Sequence, residues 1–450
     1  MRFILRLPLV AAAISILVQT AGAAPRGPTA ASWIGVWGYV SAPLPPGTTP
    51  PPPAPPAPPT VVPLGSSIPP PAAAPPQRPV FAPLLENPGN VPVDTSATDL
   101  SNVTVRQVVR VSAGGTRLRL RFSNEGGADA LAFGAVHVGK AGVDGAVVAG
   151  TDHAVTFDGK SAVAIPASAP LLSDPIDLPT AALDRLYVSI YVPGSIPARA
   201  ARSLFQYVAG SAGDSTAAPS LPGARLMRVP AYVTLVEVQP SAPTGVIVTL
   251  GDSITEGAAS TANAFRSWPD RLAERLAGHN WAVVNAGISG NRLLRYGAGP
   301  NALARLDRDV LSVPGIKTLI LLEGINDIGR GFSPVGATEP VDAAALEAAD
   351  KQIIQRAHEH GVRVIGATLT PYEGAAYASP AGESVRQALN EWIKTGGAFD
   401  GVIDFAPAVA DASNPLTFAK QYNDRDHLHP NDAGYKAMAD AVTLSVLGAK

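Results

Sequence analysis

Ser253, together with the Asp426 and His429 pair, supplies the residue types from which this sequence could build acyl-transfer chemistry. Ser253 sits in Gly251-Asp252-Ser253-Ile254-Thr255-Glu256-Gly257, directly after the apolar run GVIVTL. A serine on a tight turn between a buried strand and a helix presents its hydroxyl at the mouth of a sheet, beside the unpaired amide donors of the helix N-terminus. Such a placement suits a nucleophile whose attacked carbonyl becomes an oxyanion. A Ser or Asp there would equally serve as a helix cap. The segment is not the G-x-S-x-G elbow of α/β-hydrolases, because Thr255 stands where the last glycine would be.

Serine is a poor nucleophile unless a base takes its proton, and an imidazole does so when a carboxylate holds its other nitrogen and balances its charge. Asp426-His427-Leu428-His429-Pro430 offers both groups within one turn of backbone, with Pro430 suited to the first position of a following helix. The spacing favours His429 as base and Asp426 as its orienter. His427 then reads as a neighbour, with a metal site through His427 and His429 as the other option. Two further segments follow strand-like runs: Asn285-Ala286-Gly287-Ile288-Ser289-Gly290-Asn291 and Glu323-Gly324-Ile325-Asn326-Asp327. A bare glycine lets a backbone N–H approach substrate, and an Asn amide is a neutral donor; a developing oxyanion needs both. Gly and Asn are also ordinary turn residues.

These segments must be positioned by elements, and after Thr244 apolar strand-like runs alternate with helical ones. Strands are expected at residues 245–250, 281–285, 317–322, 362–370 and 401–405, and helices at 268–276, 302–313, 343–360, 383–394 and 430–447. Repeated βα units predict a mostly parallel sheet covered on both faces, with function at the carboxyl ends of its strands. Arg292, Trp268 and Tyr372 lie near those ends as residues that line the pocket or serve the core.

Ahead of this region, residues 83–240 read as an all-β sandwich-like domain. Short runs at 103–111, 117–122, 131–138, 146–148, 162–165, 186–192 and 233–238 are broken by Gly, Asn and Asp, and Arg117 to Phe122 strictly alternates cation and apolar residue. A strand-like segment within residues 24–40 reads as part of the same domain. Between them, residues 41–82 form a Pro-rich linker or loop, since 18 of the 45 prolines fall between Ser41 and Val80. Residues 1–23 read as a secretory signal peptide: Arg2 and Arg6 precede about a dozen apolar residues, too few to span a bilayer, and a small-residue exit follows. A secreted or periplasmic protein is expected, without stable membrane insertion after cleavage.

Composition narrows the classes. A net charge of -2 from 34 Lys and Arg against 36 Asp and Glu lacks the basic footprint of nucleic-acid binders. The absence of cysteine excludes disulfides, thiolate metal sites and a Cys nucleophile. Over 450 residues, 46% hydrophobic content is enough for two or three packed domains.

The four segments GDSITEG, NAGISGN, EGIND and DHLHP together resemble the blocks of the GDSL or SGNH hydrolases, over about 200 residues from Gly245 to the end. The resemblance implies a three-layer α/β/α, flavodoxin-like domain with a parallel sheet at residues 241–450. It implies Ser253 as nucleophile, His429 as base and Asp426 as its partner, and an oxyanion hole of Ser253 and Gly290 N–H groups with the Asn326 side chain. Ile254 replaces the family's Leu. Members are esterases, lipases, thioesterases, arylesterases and carbohydrate O-acetylesterases that need no metal or cofactor, and a β-rich segment ahead of the hydrolase is similar to a subgroup of secreted two-domain bacterial members. The expected function is a serine esterase acting through an acyl-enzyme on short-chain esters such as O-acetyl groups of a carbohydrate, with a small-molecule or polysaccharide ester as substrate. Alternatives are a lipase or arylesterase for longer acyl chains, and, in another class, a non-catalytic extracellular carbohydrate-binding protein.

Overall fold

The computed structural model describes residues 32–40, 93–94, 99–143, 145–194, 196–197, 208–227, 232–242, 244–333, 339–423 and 425–448. The expected signal peptide and Pro-rich stretch lie outside the described residues.

The amino-terminal part is all-β. Ile34–Gly38, Val233–Gln239, Arg117–Ser123 and Pro170–Leu172 form one antiparallel sheet in that order. A larger sheet is centred on Val103–Arg110 and Arg185–Val192, paired in continuous antiparallel register from Val103 against Val192 to Arg110 against Arg185. Alternation explains the first sheet: Leu118, Leu120 and Phe122 are buried while Arg117, Arg119 and Arg121 lie toward solvent. Phe122 meets Phe133 and Phe157 edge-on, at 5.6 and 5.5 Å between ring centroids, at the centre of the shared core.

Several expected elements differ. Residues 146–148 carry one isolated bridge, Ala141 to Val147, because Gly142, Gly145 and Gly150 turn the chain on both sides. The run at 131–138 is two strands, Leu131–Phe133 and Ala135–Lys140, divided at Gly134.

The carboxy-terminal part is a five-stranded parallel sheet in the order Trp281–Gly287, Gly245–Gly251, Ile316–Leu322, Arg363–Ala367, Gly401–Ile403. The central strands are largely apolar, Thr249, Lys317 and Thr318 apart, because both faces are covered. One group of helices packs Trp268–Leu276 against Asp432–Ala441, and another packs Ala343–Glu359 against Pro380–Thr395. Among the departures from the sequence expectation are short helices at Ser253–Glu256 and Ile325–Gly331. The helix from Ala302 closes at Leu306 into a π-helical turn at Asp307–Leu311; the last helix stops at Ala441 before the β-branched Val442 and Thr443; and a short helix, Phe405–Val409, follows the last strand.

The order in which strands are added switches side between Gly245–Gly251 and Ile316–Leu322, the strands numbered first and third within this sheet. In such sheets that reversal opens a crevice at the carboxyl ends, and Ser253 and Asn326 follow those two strands. The β-rich part is fastened alongside. Gly35 N–H donates to the Pro314 carbonyl at 2.9 Å, Val283 N–H to Ser112 Oγ at 2.8 Å, and Arg110 pairs with Glu274 at 2.7 Å.

Candidate active site

Ser253 opens the short helix Ser253–Glu256, capped by the Asp252 carboxylate, which accepts from Ile254 N–H at 2.8 Å. Thr255, the departure from the elbow motif, has its hydroxyl packed on Gly251: a Cβ there would lie 2.2 Å from Thr255 Oγ1. The turn therefore closes on the strand end by a different route from a second glycine.

The candidate base comes from the loop before helix Asp432–Ala441. Ser253 Oγ lies 2.8 Å from His429 Nε2, and His429 Nδ1 lies 2.5 Å from Asp426 Oδ2. The other oxygen of Asp426 accepts from the N–H groups of Leu428 and His429, at 3.0 and 2.9 Å, and from Asn423 Nδ2 at 3.3 Å. Burial alone would push the Asp426 carboxyl up; the hydrogen bonds and the nearby imidazole outweigh it and hold the group well below the usual carboxylate range. His429, not His427, reaches the serine. His427 is exposed, in a left-handed conformation at φ 58°, with its ring close to Gly374. Among the described residues no group of three His, Asp or Glu is arranged to hold a metal.

Gly290 has φ 74°, a conformation glycine adopts without strain, and its N–H takes no hydrogen bond among the described residues. Asn326, in the first turn of helix Ile325–Gly331, donates from Nδ2 to the Asn291 carbonyl at 2.9 Å and lies 3.4 Å from Asp252 Oδ2. The structure thus brings the Ser253 turn, the Gly290 loop and Asn326 to one place. It does not bring Trp268 there: that ring is buried in the core against Phe405. Tyr372 is also buried, and Arg292 pairs with Glu339.

Beneath the site lies a residue that motif reading passed over. Arg305 is fully buried; it donates to the Gly251 carbonyl at 2.9 Å, the Ala286 carbonyl at 2.7 Å and Asn291 Oδ1 at 2.8 Å, and pairs with Asp309 at 3.3 Å. One guanidinium thereby joins the ends of two strands to the Gly290 loop. Its signal was an arginine at a core position of an otherwise apolar helical stripe, Ala302, Leu306 and Val310. Asn423 and Asp327 were missed too. Asn423 donates to the His429 carbonyl at 2.7 Å, and Asp327 accepts from Leu293 and Leu294 N–H at 2.7 and 3.1 Å. Burial pushes the carboxyls of Asp252, Glu323, Asp327 and Asp350 upward, and Arg305 counters it at Asp252 and Glu323.

Against known proteins, residues 249–437 match the model of the GDSL-like lipase/acylhydrolase family. No curated protein matches the sequence. Among solved structures, a G-D-S-L family lipolytic protein from Desulfitobacterium hafniense is 24% identical, covers 44% of this chain and 97% of its own, and superposes with a TM-score of 0.34. An aryl esterase from M. smegmatis is 16% identical, covers 46% and 100%, and has a TM-score of 0.37. A carbohydrate esterase family 2 enzyme with a carbohydrate binding domain, from Corynascus thermopiles, is 15% identical, covers 80% and 97%, and has a TM-score of 0.35.

Proposed function

We propose, for a chain whose residues 249–437 form a GDSL-like lipase/acylhydrolase domain and which is an ester-hydrolysing serine hydrolase, that catalysis runs through Ser253, His429 and Asp426. The observation that carries this reading is the unbroken contact from Ser253 Oγ to His429 Nε2, at 2.8 Å, and from His429 Nδ1 to Asp426, at 2.5 Å.

In this mechanism His429 Nε2 takes the hydroxyl proton as Ser253 Oγ attacks the ester carbonyl. The tetrahedral oxyanion is held by the Ser253 and Gly290 N–H groups and by Asn326 Nδ2. The intermediate collapses as the imidazolium gives its proton to the departing alcohol, leaving the acyl group on Ser253. Water, deprotonated by the same imidazole, then releases the acid and restores the serine. Asp426 holds the ring through Nδ1 and balances its charge in both steps, without itself taking the proton.

The preferred substrate is a short-chain acyl ester, such as an O-acetyl group on a carbohydrate. Access supports this: Ser253 is only 6% exposed, whereas the His429 and Asp426 side chains are 19% and 48% exposed, so a bulky alcohol portion approaches from the Asp426–His429 side. Lipase or arylesterase action on longer chains is the second reading. The Arg-flanked apolar leader supports a place outside the cytoplasm, in the periplasm or medium.

Initial rates on p-nitrophenyl esters from acetate to palmitate, run beside acetate release from acetylated xylan, test the reading. Ser253→Ala should cost about 10⁴ or more in kcat while melting as the parent does. Wild-type turnover by that variant would remove Ser253 from the mechanism, and a maximum at long chains would replace the acetyl ester with a lipid.

A further inference from the structure

We propose that Tyr377 is a positioning residue for the oxyanion donor Asn326, an inference that rests on the role given to Asn326 above. Tyr377 lies in the loop between strand Arg363–Ala367 and helix Pro380–Thr395. Its hydroxyl donates to Asn326 Oδ1 across 3.4 Å. On the other side of the amide, Nδ2 donates to the Asn291 carbonyl at 2.9 Å, with Asp252 Oδ2 at 3.4 Å. A flipped amide would turn its oxygen toward those two acceptors, so the surroundings select one orientation. In that orientation one Nδ2 hydrogen is committed to Asn291. The second, held only loosely by Asp252, is the one an oxyanion can take.

A hydrogen bond into Oδ1 draws electron density from the amide nitrogen and makes its remaining N–H a stronger donor. At 3.4 Å the contact is longer than the ordinary O–H···O bond of about 2.7–2.8 Å, so it is weak at rest. It strengthens when negative charge develops at the far end of the amide, which places its effect in the transition state.

The ring is seated for this task. It lies flat on Gly329, three residues along the helix from Asn326, where a Cβ would fall 1.7 Å from its Cδ2 and Cε2 atoms. Tyr372 backs it at 6.1 Å between centroids. Burial, and then the nearby Asp252 carboxylate, push the Tyr377 phenol well above its ordinary pKa, so it remains a protonated donor wherever the enzyme works.

Tyr377→Phe keeps the ring and removes the donor. It should lower kcat on p-nitrophenyl acetate by about 3- to 10-fold, the equivalent of one neutral hydrogen bond, with KM unchanged. In an Asn326→Ala background the same substitution should cost nothing further, because its target is gone. Gly329→Ala, which displaces the ring but keeps the hydroxyl, should reproduce the kcat loss at unchanged KM. Equal losses from Tyr377→Phe in both backgrounds would overturn the proposal while leaving Asn326 its role. Wild-type kcat in Asn326→Ala alone would overturn that role and the proposal together.

Discussion

The rim and the floor of the crevice treat carboxylates in opposite ways. At the rim, Asp426 receives the His429 ring and two backbone N–H groups, and Asp432 receives Thr261 N–H, Thr261 Oγ1 and Arg266. Both carboxyls are held below the usual range although burial opposes it. On the floor, Glu323 has neither oxygen hydrogen-bonded among the described residues, and burial with the neighbouring Asp252 raises it well above its ordinary value. Burial by itself therefore does not decide the charge of a carboxyl here; the donors placed around it do. The rim is built to keep a negative charge facing an imidazole. The floor holds its acids with fewer donors, so burial raises them, and the Arg305 guanidinium offsets this at Asp252 and Glu323.

The sharpest test of the rim is Asp426→Asn. The Asn oxygen can still accept from Leu428 and His429 N–H, so the loop should stay folded. Its NH₂ group would then meet His429 Nδ1 and impose the wrong tautomer, and kcat should fall by about 10³ to 10⁴ in protein that remains folded. The rim's stability also has a signed pH dependence. Because folding lowers the Asp426 pKa, its contribution is present above the unfolded value and is lost as pH falls through the folded one. A folded Asp426→Asn variant that keeps the parent's kcat would mean that this carboxylate holds the fold rather than the histidine.

On the floor the expected damage is structural first. Arg305→Met strips the Gly251 and Ala286 carbonyls and Asn291 Oδ1 of their donor, while Asp309 keeps Arg308 at 2.5 and 2.8 Å. Each buried acceptor left without its donor costs about 1–3 kcal/mol. Denaturant unfolding should show it, together with lower kcat in the fraction still folded, since these carbonyls lie directly before Ser253 and Gly290. Undiminished stability would mean that the floor does not depend on Arg305.

The rim was largely legible in the sequence and the floor was not. Asp426 and His429 share one turn, so residue type and local spacing reveal a possible pair, and Ser253 is marked by the apolar strand before it. The helix Trp268–Leu276 was readable from end to end because Ser267 caps it and Pro269 sits in its first turn. Arg305, Glu323 and Tyr377 acquire their roles only from neighbours distant in sequence: Gly251 for Arg305, Asp252 for Glu323, Asn326 for Tyr377. The same limit applies to the helix Ile325–Gly331, whose two glycines disfavour it locally and which exists because its buried face packs beneath Pro380–Thr395. Short strands of the β-rich part, such as Pro170–Leu172 and Arg225–Met227, carry too few residues for a periodicity to appear.

Glu323→Gln probes the opposite sign with a smaller effect. Folding raises the pKa of this carboxyl, so the folded state holds a proton that the unfolded chain releases once pH exceeds the unfolded value. Stability should therefore fall as pH climbs from there toward the folded pKa, by at most about 1.4 kcal/mol per pH unit for one group. The shared influence of Asp252 will reduce that slope, since removing one acid eases the ionisation of the other. Glutamine, always neutral, has no such dependence. The variant should melt close to the parent near pH 5 and increasingly above it toward pH 9, with kcat on p-nitrophenyl acetate unchanged because Glu323 takes no part in the contact chain. Melting curves that run parallel across this range would show that the floor keeps Glu323 ionised at no cost, and the contrast between floor and rim would collapse to a difference in exposure alone.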